Sequence, residues 1–469
     1  MLWTWRDARP RHAALYGFAW GVGCYALTVV WIRYFGIVAF IALVVAMAAM
    51  LAVAGAIVAA LAERGVRSPL LTAAAWVLME ALQGRWPFGG FPWADVGVAL
   101  HGVGAARALA GVGGVLLVSY VVVAVAGFLL DGLLALRAPE GRGRALVLAA
   151  GGLVGLLVLT AVVRVTRFEP TPTGELHLAI LQGDDELLSL AEQQVQLLTD
   201  DHLELADRLE GDYDLIVFPE SSLDTDPELD AQLRHDLTEI AVAHDAALLV
   251  NARVPVDRSR PSESEELYNT NLLYEPDGAL QGEYRKQHLV PFGEYVPLRG
   301  LLGGLDALRQ VPLDFAPGDE TVVFDVKGAS VGSVVCFESA FGPLVADFVR
   351  DGAEAIVVST NNRSYRRSAN SEQHLALSRM RAAETGRPIV QASVSGISAV
   401  VDPDGTVRDR TELFEKAVVD TTIVTTTGDT LYVRFGDWVV WGSALAIVVA
   451  TLVAIRRPRV PATSVEDQP

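Results

Sequence analysis

Three residues in the second half of the chain stand where apolar, strand-like runs end: Glu220 in DLIVFPES, Lys286 in EYRKQHLVPFGEYVP and Cys336 in GSVVCFES. A carboxylate, an ammonium and a thiol brought together suit a cysteine acyl-transfer site. The carboxylate takes the thiol proton as sulfur attacks. A fixed ammonium, helped by a backbone N–H such as that of Phe337, then stabilises the oxyanion that forms. Only tertiary folding can assemble these three, because long stretches of chain separate them.

Taken singly, each residue has a duller explanation. A Cys in an apolar strand is commonly a small buried hydrophobe, a Glu after Pro a solvated turn residue, and a lone Lys a surface cation. Usage separates the lysine from that background. The only lysines are Lys286, Lys327 and Lys416, and every other basic residue among the 37 Lys and Arg is arginine. Arg is the default cation here, so Lys286 in a Pro-rich apolar setting reads as selected for its compact charge.

The elements that must carry these residues alternate as in a layered α/β fold. LHLAILQG, DLIVFPES, AALLVNARV, YNTNLLYEP, TVVFDV, ASVGSVVCFES, EAIVVSTNN and PIVQASVSGISAVVD read as strands. Several are apolar throughout, which predicts burial on both faces. Positions 188 to 210 and 228 to 244 carry helical apolar spacing, as does NSEQHLALSRMRAAETG, where Asn370 and Gln373 are expected to form a capping box. PDG at 276 to 278 and again at 403 to 405 predicts two hairpin turns.

Around this domain the chain is built for a bilayer. Hydrophobic residues make up 51% of its 469 positions. Six runs approach the roughly 18 or more apolar residues that cross a membrane as a helix, near 13 to 32, 36 to 61, 69 to 84, 108 to 130, 145 to 163 and 437 to 455. Basic clusters at Arg6, Arg9 and Arg11, at Arg64 and Arg67, at Arg137, Arg142 and Arg144, and at Arg456, Arg457 and Arg459 fall on one side if all six cross. That side is cytoplasmic. The expected organisation is a five-span bundle over 1–165, an extracytoplasmic domain over 166–436, a last span over 437–455 and a cytoplasmic tail over 456–469. The first span lacks a cleavage signature and is expected to stay as an anchor.

Cys24 lies in that first span, and Cys336 is the only cysteine in the outer domain, so no disulfide forms within the domain and a Cys-rich metal site is excluded. The net charge of −19 comes largely from acidic runs such as TDDHLELADRLEGDYD. Those runs read as a solvated surface, and nucleic acid is excluded as a partner, since binding it needs clustered basic charge.

Taken together, PES at 219 to 221, YRKQHLVPFGEYVP at 284 to 297, VCFE at 335 to 338, QHLALSRMRAAETGRPIVQASVSGISAVVDPDG from 373 and GFPW at 90 to 93 resemble the apolipoprotein N-acyltransferase family. This is a membrane-embedded branch of the nitrilase superfamily. The resemblance implies an α-helical transmembrane bundle plus an extracytoplasmic α/β domain, a nitrilase-like αββα sandwich. It implies Glu220 as general base, Lys286 as oxyanion stabiliser and Cys336 as nucleophile, with Glu294 and Glu338 as supporting carboxylates. The implied reaction is a ping-pong transfer of an sn-1 acyl chain from a membrane phospholipid, through a Cys336 thioester, to the α-amino group of a diacylglyceryl-cysteine on an apolipoprotein. Neither metal nor soluble cofactor is required, and the implied location is a bacterial plasma membrane.

Departures from the family pattern bear on substrate contacts. Phe337 stands where Tyr is common, NNRSY at 361 to 365 replaces an aspartate-and-aromatic stretch, and no Trp follows Gln182 and Gly183. Family members commonly carry two more spans before that at 13 to 32, an even number that keeps the expected topology.

Two segments are expected to form a lipid entrance. RWPFGGFPW brings Trp86, Phe91 and Trp93 to the outer interface, where aromatic rings are favoured. PLRGLLGGLDALRQVPLDF, with Leu301 and Leu302, reads as a mobile lid. Two other functions remain open on the residues alone: a membrane-tethered nitrilase-like amidase with water as acceptor, and a non-catalytic scaffold that binds lipoproteins.

Overall fold

The computed structural model describes residues 1–137, 142–183, 191–297, 299 and 313–457, with the side chains of 142 and 191–197 excepted. Residues 298 and 300–312 of the expected lid, Leu301 and Leu302 among them, lie outside the described residues. The chain divides into two units, one from Met1–Arg167 and Phe435 onward, the other Phe168–Arg434.

The first unit is helical: α1 Leu2–Asp7, α2 Pro10–Thr28, α3 Ile37–Glu63, α4 Pro69–Gln83, α5 Gly104–Arg137, α6 Arg142–Val165 and, from the chain's end, α12 Trp438–Ile455. All six expected spans are helices, yet only α3, α5, α6 and α12 are long and apolar enough to cross a membrane by length and composition. The α4 helix has 15 residues. The α2 helix opens on Pro10, Arg11 and His12 and stops at Thr28, four residues before the expected limit, where a 3-10 turn over Val30–Phe35 takes over. There Thr28 Oγ1 bonds back to the Cys24 carbonyl at 2.9 Å, competing with the helix's own backbone pairing.

Small residues bring α2 and α3 close, as between membrane helices generally. A Cβ at Gly17 would stand 2.9 Å from the Leu51 carbonyl oxygen, and one at Gly21 2.9 Å from Ala48 Cα. The α5 helix breaks at Gly113 and Gly114, the latter at φ +72°, a conformation open to glycine. Inside the bundle Glu80, 2% exposed, accepts from Trp76 Nε1 and from the Val96 N–H, both at 2.8 Å, and so ties the loop after α4 to its helix.

The second unit holds two sheets. One has the order β13-β1-β2-β3-β4-β5, with β6 beside β4, from β1 Thr171–Gln182, β2 Leu215–Val217, β3 Ala247–Pro255, β4 Glu266–Tyr274, β5 Leu280–Arg285, β6 Asp314–Phe315 and β13 Ala417–Thr427. The other runs β12-β11-β10-β9-β8-β7, from β7 Val323–Val326, β8 Ala329–Val335, β9 Ala355–Thr360, β10 Ile389–Ser393, β11 Ala399–Val401 and β12 Val407–Arg408.

Each sheet has a parallel centre, β1-β2-β3 and β8-β9-β10, flanked by antiparallel strands. Within these centres β2 and β9 are buried throughout, because a parallel strand is covered on both faces, while β1 is exposed over Thr171–Glu175 and buried beyond it except at half-exposed His177. On the first sheet, α7 Ala191–Ala206 and α8 Ala231–Ala243 supply the cover: Leu205, Leu233, Leu237 and Ile240 share a core with Leu181, Ile216, Phe218, Leu248 and Val250. The second sheet is accompanied by α9 Gly342–Arg350 and α10 Asn370–Thr385, and α11 Leu431–Phe435 closes the unit.

Both PDG turns form, with Gly278 and Gly405 each at φ +80°. The capping box does not. Ala369 is the cap residue, while Asn370 lies inside α10 and its Oδ1 accepts from Asn362 Nδ2 at 2.7 Å, which takes the group a box would use.

Candidate active site

Chain reversals at strand ends bring the site together. Glu220 follows β2 by three residues, Lys286 follows β5 directly and Cys336 follows β8 directly. The first two come from one sheet and Cys336 from the other. A hydrogen bond from Asn271 Nδ2 on β4 to Ser333 Oγ on β8, 2.6 Å, joins the sheets beneath them.

Lys286 is 1% exposed. Its Nζ donates to Glu294 Oε1 at 2.8 Å and lies 3.5 Å from Glu220 Oε1. Burial alone pulls its pKa down, but the Glu294 and Glu220 carboxylates outweigh that and hold it above its usual range. The ammonium is therefore charged. Its backbone is pinned on both sides, the N–H to the Asn269 carbonyl at 2.9 Å and the carbonyl to the Gly318 N–H at 2.8 Å.

Glu220 is equally fixed: Oε1 accepts from Asn269 Nδ2 and Oε2 from the Asn361 N–H, each at 2.9 Å. Asn269 Nδ2 also reaches Glu294 Oε1 at 2.9 Å, so one amide spans both carboxylates that face the lysine. Glu294 Oε2 accepts from the Val290 N–H at 2.7 Å, closing the loop that carries it.

Cys336 is buried and has φ +50°, a left-handed conformation that costs an L-residue about 1–2 kcal/mol. It opens a 3-10 turn over Cys336–Ala340. Burial pushes its thiol up to about 12; the Glu220 charge adds to the rise, and Lys286, the Thr360 hydroxyl and the Asn361 N–H oppose it. A thiol so placed rests protonated and needs a base to become a nucleophile.

Glu338 bridges the two loops rather than touching the lysine directly. Its Oε1 accepts from Tyr284 OH at 2.9 Å and from the Gln287 and His288 N–H groups at 2.6 and 3.1 Å, and Oε2 accepts from the Val335 N–H at 2.8 Å. The residue after Lys286 and the residue before Cys336 are thereby tied to one carboxylate. His288 stacks on Phe341 at 3.9 Å across the same gap, and the Phe337 ring packs edge-on against Phe341.

Residues 178–430 match the Carbon-nitrogen hydrolase family, and residues 1–128 match the Apolipoprotein N-acyltransferase N-terminal domain. The apolipoprotein N-acyltransferase of Methylococcus capsulatus is 31% identical, over 95% of this chain and 88% of its own. That of Azotobacter vinelandii is 30% identical, over 99% and 91%. The chain belongs to the apolipoprotein N-acyltransferase family. Among solved structures, an amidase from Nesterenkonia sp. aligns with 57% of this chain and 97% of its own, at 20% identity and a TM-score of 0.41. The family places the chain in a bacterial membrane.

Sequence reasoning missed Asn269, although the alternation of YNTNLLY sets Asn269 and Asn271 on one face of β4, where both contact Asn251 at 2.9 and 2.8 Å. It also passed over Thr360, whose hydroxyl is among the groups that oppose the rise of the Cys336 thiol. Of the residues assigned to a lipid entrance, Trp86 is 61% exposed, while Trp93, 5% exposed, packs against Trp31 with ring centroids 5.2 Å apart. Phe91 is half-buried against the same two rings. Trp93 therefore fastens the loop from within, a correction to its expected lipid contact, and Phe91 packs beside it with part of its ring exposed.

Proposed function

We propose that this chain transfers an acyl group from a membrane phospholipid to an apolipoprotein, by a ping-pong route. Cys336 attacks the sn-1 ester carbonyl and Glu220 takes the thiol proton. Lys286 and the Phe337 N–H stabilise the tetrahedral oxyanion. As it collapses, the C–O bond breaks, Glu220 returns the proton to the glycerol oxygen, and a lysophospholipid leaves. The thioester on Cys336 is then attacked by the α-amino group of a diacylglyceryl-cysteine. Glu220 accepts the amine proton and delivers it to the departing sulfur, which releases the triacylated lipoprotein and restores the thiol. Glu294 and Glu338 serve this chemistry by holding Lys286 and the nucleophile turn.

The observation that carries this reading is the buried lysine held between Glu220 and Glu294, in a unit whose Cys336 thiol feels the charges of both Glu220 and Lys286. The basic clusters support cytoplasmic termini and an outer catalytic domain over 166–436. Lipid contact is assigned to Trp86. Both substrates are confined to the bilayer, so an anchored enzyme meets them without drawing long chains into water.

Purified protein and its Cys336→Ser variant, incubated with a phospholipid bearing a distinctive sn-1 chain and no acceptor, test the reading by intact mass after an acid quench. One added acyl mass on the wild type, removed by hydroxylamine and absent from the variant, is expected. Folded wild type that gains no acyl mass refutes it.

A further inference from the structure

His374 is fully buried in α10 and has no part in the chemistry above. Its Nε2 lies 3.1 Å from the Cys336 carbonyl oxygen and 2.8 Å from Ser339 Oγ. On the other edge, Nδ1 lies 3.1 Å from Asn362 Nδ2 and 3.3 Å from Thr360 Oγ1. A carbonyl oxygen only accepts and an amide NH2 only donates. The proton must therefore sit on Nε2 and the lone pair on Nδ1.

Asn362 is itself held in that sense, since its Nδ2 donates to Asn370 Oδ1 at 2.7 Å and its Oδ1 accepts from Ser393 Oγ at 3.3 Å. A doubly protonated ring would set Nδ1–H against the amide hydrogens. Burial lowers the pKa of His374 to about 4, which keeps the same neutral tautomer at neutral pH.

The carbonyl it grips belongs to the peptide between Cys336 and Phe337. In a trans peptide the C=O and the following N–H lie in one plane and point to opposite sides. A donor that fixes the Cys336 carbonyl thus fixes the direction of the Phe337 N–H. Donation into the carbonyl also polarises the peptide and strengthens that N–H as a donor. Cys336, at φ +50°, stands at the junction of β8 and the 3-10 turn it opens, and His374 grips that junction from α10.

We propose that His374 is a positioning residue for acyl transfer: by holding the Cys336 carbonyl it sets the Cys336–Phe337 peptide plane and aims the Phe337 N–H at the oxyanion. The proposal rests on Cys336 being the acylated nucleophile. The competing account is a buried histidine that only fills space beneath the turn.

Gln and Asn separate the two edges of the ring. The amide of His374→Gln reaches the position of Nε2 and keeps a donor on the carbonyl, whereas that of His374→Asn ends near Nδ1 and leaves the carbonyl without one. Full-length protein in detergent is assayed for single-turnover acylation of Cys336 by phospholipid, and for its alkylation by iodoacetamide, a displacement that forms no oxyanion. His374→Asn is expected to slow acylation about thirtyfold, part of the hundredfold or more that a lost oxyanion donor costs. The half-saturating phospholipid concentration and the alkylation rate should stay within about twofold, and His374→Gln should recover acylation to within about fivefold of wild type.

His374→Leu is expected to fall with His374→Asn and replaces it if the latter does not fold. Equal loss in the Gln variant, or alkylation and acylation falling together, overturns the proposal in favour of packing. A folded wild type that alkylates at Cys336 but forms no thioester overturns the nucleophile assignment and this proposal with it, an outcome visible before any variant is made.

Discussion

Replacing Glu220 by Gln separates two ways of activating Cys336, because they predict opposite signs. With its pKa near 12 the thiol is ionised in roughly one molecule in 10⁵ at pH 7. The Glu220 charge is one cause of that elevation, so the glutamine variant holds more thiolate at rest, not less. An enzyme that used a resting thiolate would then alkylate faster and acylate no slower. If Glu220 instead takes the proton during attack, its loss removes general-base catalysis worth about 10²–10⁴-fold. Acylation at pH 7 should fall about 10³-fold, and its logarithm should then climb with unit slope between pH 7 and 10, as hydroxide takes over the ionisation. Wild type should show no such rise. The stopped reaction with a labelled phospholipid, read by intact mass across that range, gives both quantities. Acylation by Glu220→Gln within tenfold of wild type at pH 7 would refute the reasoning.

Further expectations concern the surroundings of that proton transfer. Lys286→Met leaves two buried carboxylates uncompensated and should cost about 3–5 kcal/mol of stability as well as activity; adding Glu294→Gln should restore much of the melting temperature without restoring acylation. Asn269→Ala removes the amide that spans Glu220 and Glu294, and acylation should drop about ten- to a hundredfold with little change in donor affinity; Asn269→Asp, which sets a third acid among them, should be worse, and single-turnover titration against phospholipid checks both. His202 and His374 are held neutral by burial, each lowered from 6.5 to about 4. The unfolded chain binds their protons first as pH falls, so stability present above pH 6.5 is lost through pH 4, by about 3 kcal/mol for each histidine at full protonation. Hydrogen exchange in β1 and α10 between pH 7.5 and 4 should show it, and His202→Leu should remove the share that β1 and α7 lose.

The parts of this fold that were legible in the sequence are those where one physical demand dominates. Parallel strands covered on both faces must be largely apolar, and LIVF and the AIVV that opens β9 are. The strand β13 has no such run. It pairs antiparallel with β1, and its AVVDTTIVTTT alternates exposed and buried positions, a period-two signal hidden by threonine's mixed character. The residues Glu220, Lys286 and Cys336 could be singled out because they break apolar runs with chemistry. Asn269 and His374 could not, since a polar residue inside a buried element looks the same whether it orients a carboxylate or caps a stray backbone group. Only the distances to Glu220, Glu294 and the Cys336 carbonyl separate those cases. The α2 boundary failed for a different reason. Hydropathy continues through Val30 and Trp31, while the backbone has already passed from α-helix to a 3-10 turn.

The two carboxylates on one lysine follow from the charge that the reaction creates. A buried ammonium with no anion beside it tends to lose its proton, and with it its value as an electrostatic partner. One carboxylate, Glu294 at 2.8 Å, suffices to keep Lys286 charged and belongs to the lysine throughout. The second, Glu220 at 3.5 Å, is the looser of the pair and is free to change its charge. As sulfur attacks, the proton that reaches Glu220 neutralises one negative charge while the substrate oxygen gains one a short distance away. The lysine therefore faces two negative charges before and during the step, and the site need not reorganise around a new ion, which is the condition under which preorganised electrostatics are most effective. A site with Glu220 alone would leave Lys286 facing only the substrate oxyanion once the base becomes protonated. On this account Glu294→Gln should impair acylation chiefly in the transition state, lowering kcat with KM for phospholipid nearly constant, and a rise in KM with kcat preserved would show that Glu294 acts on substrate binding instead.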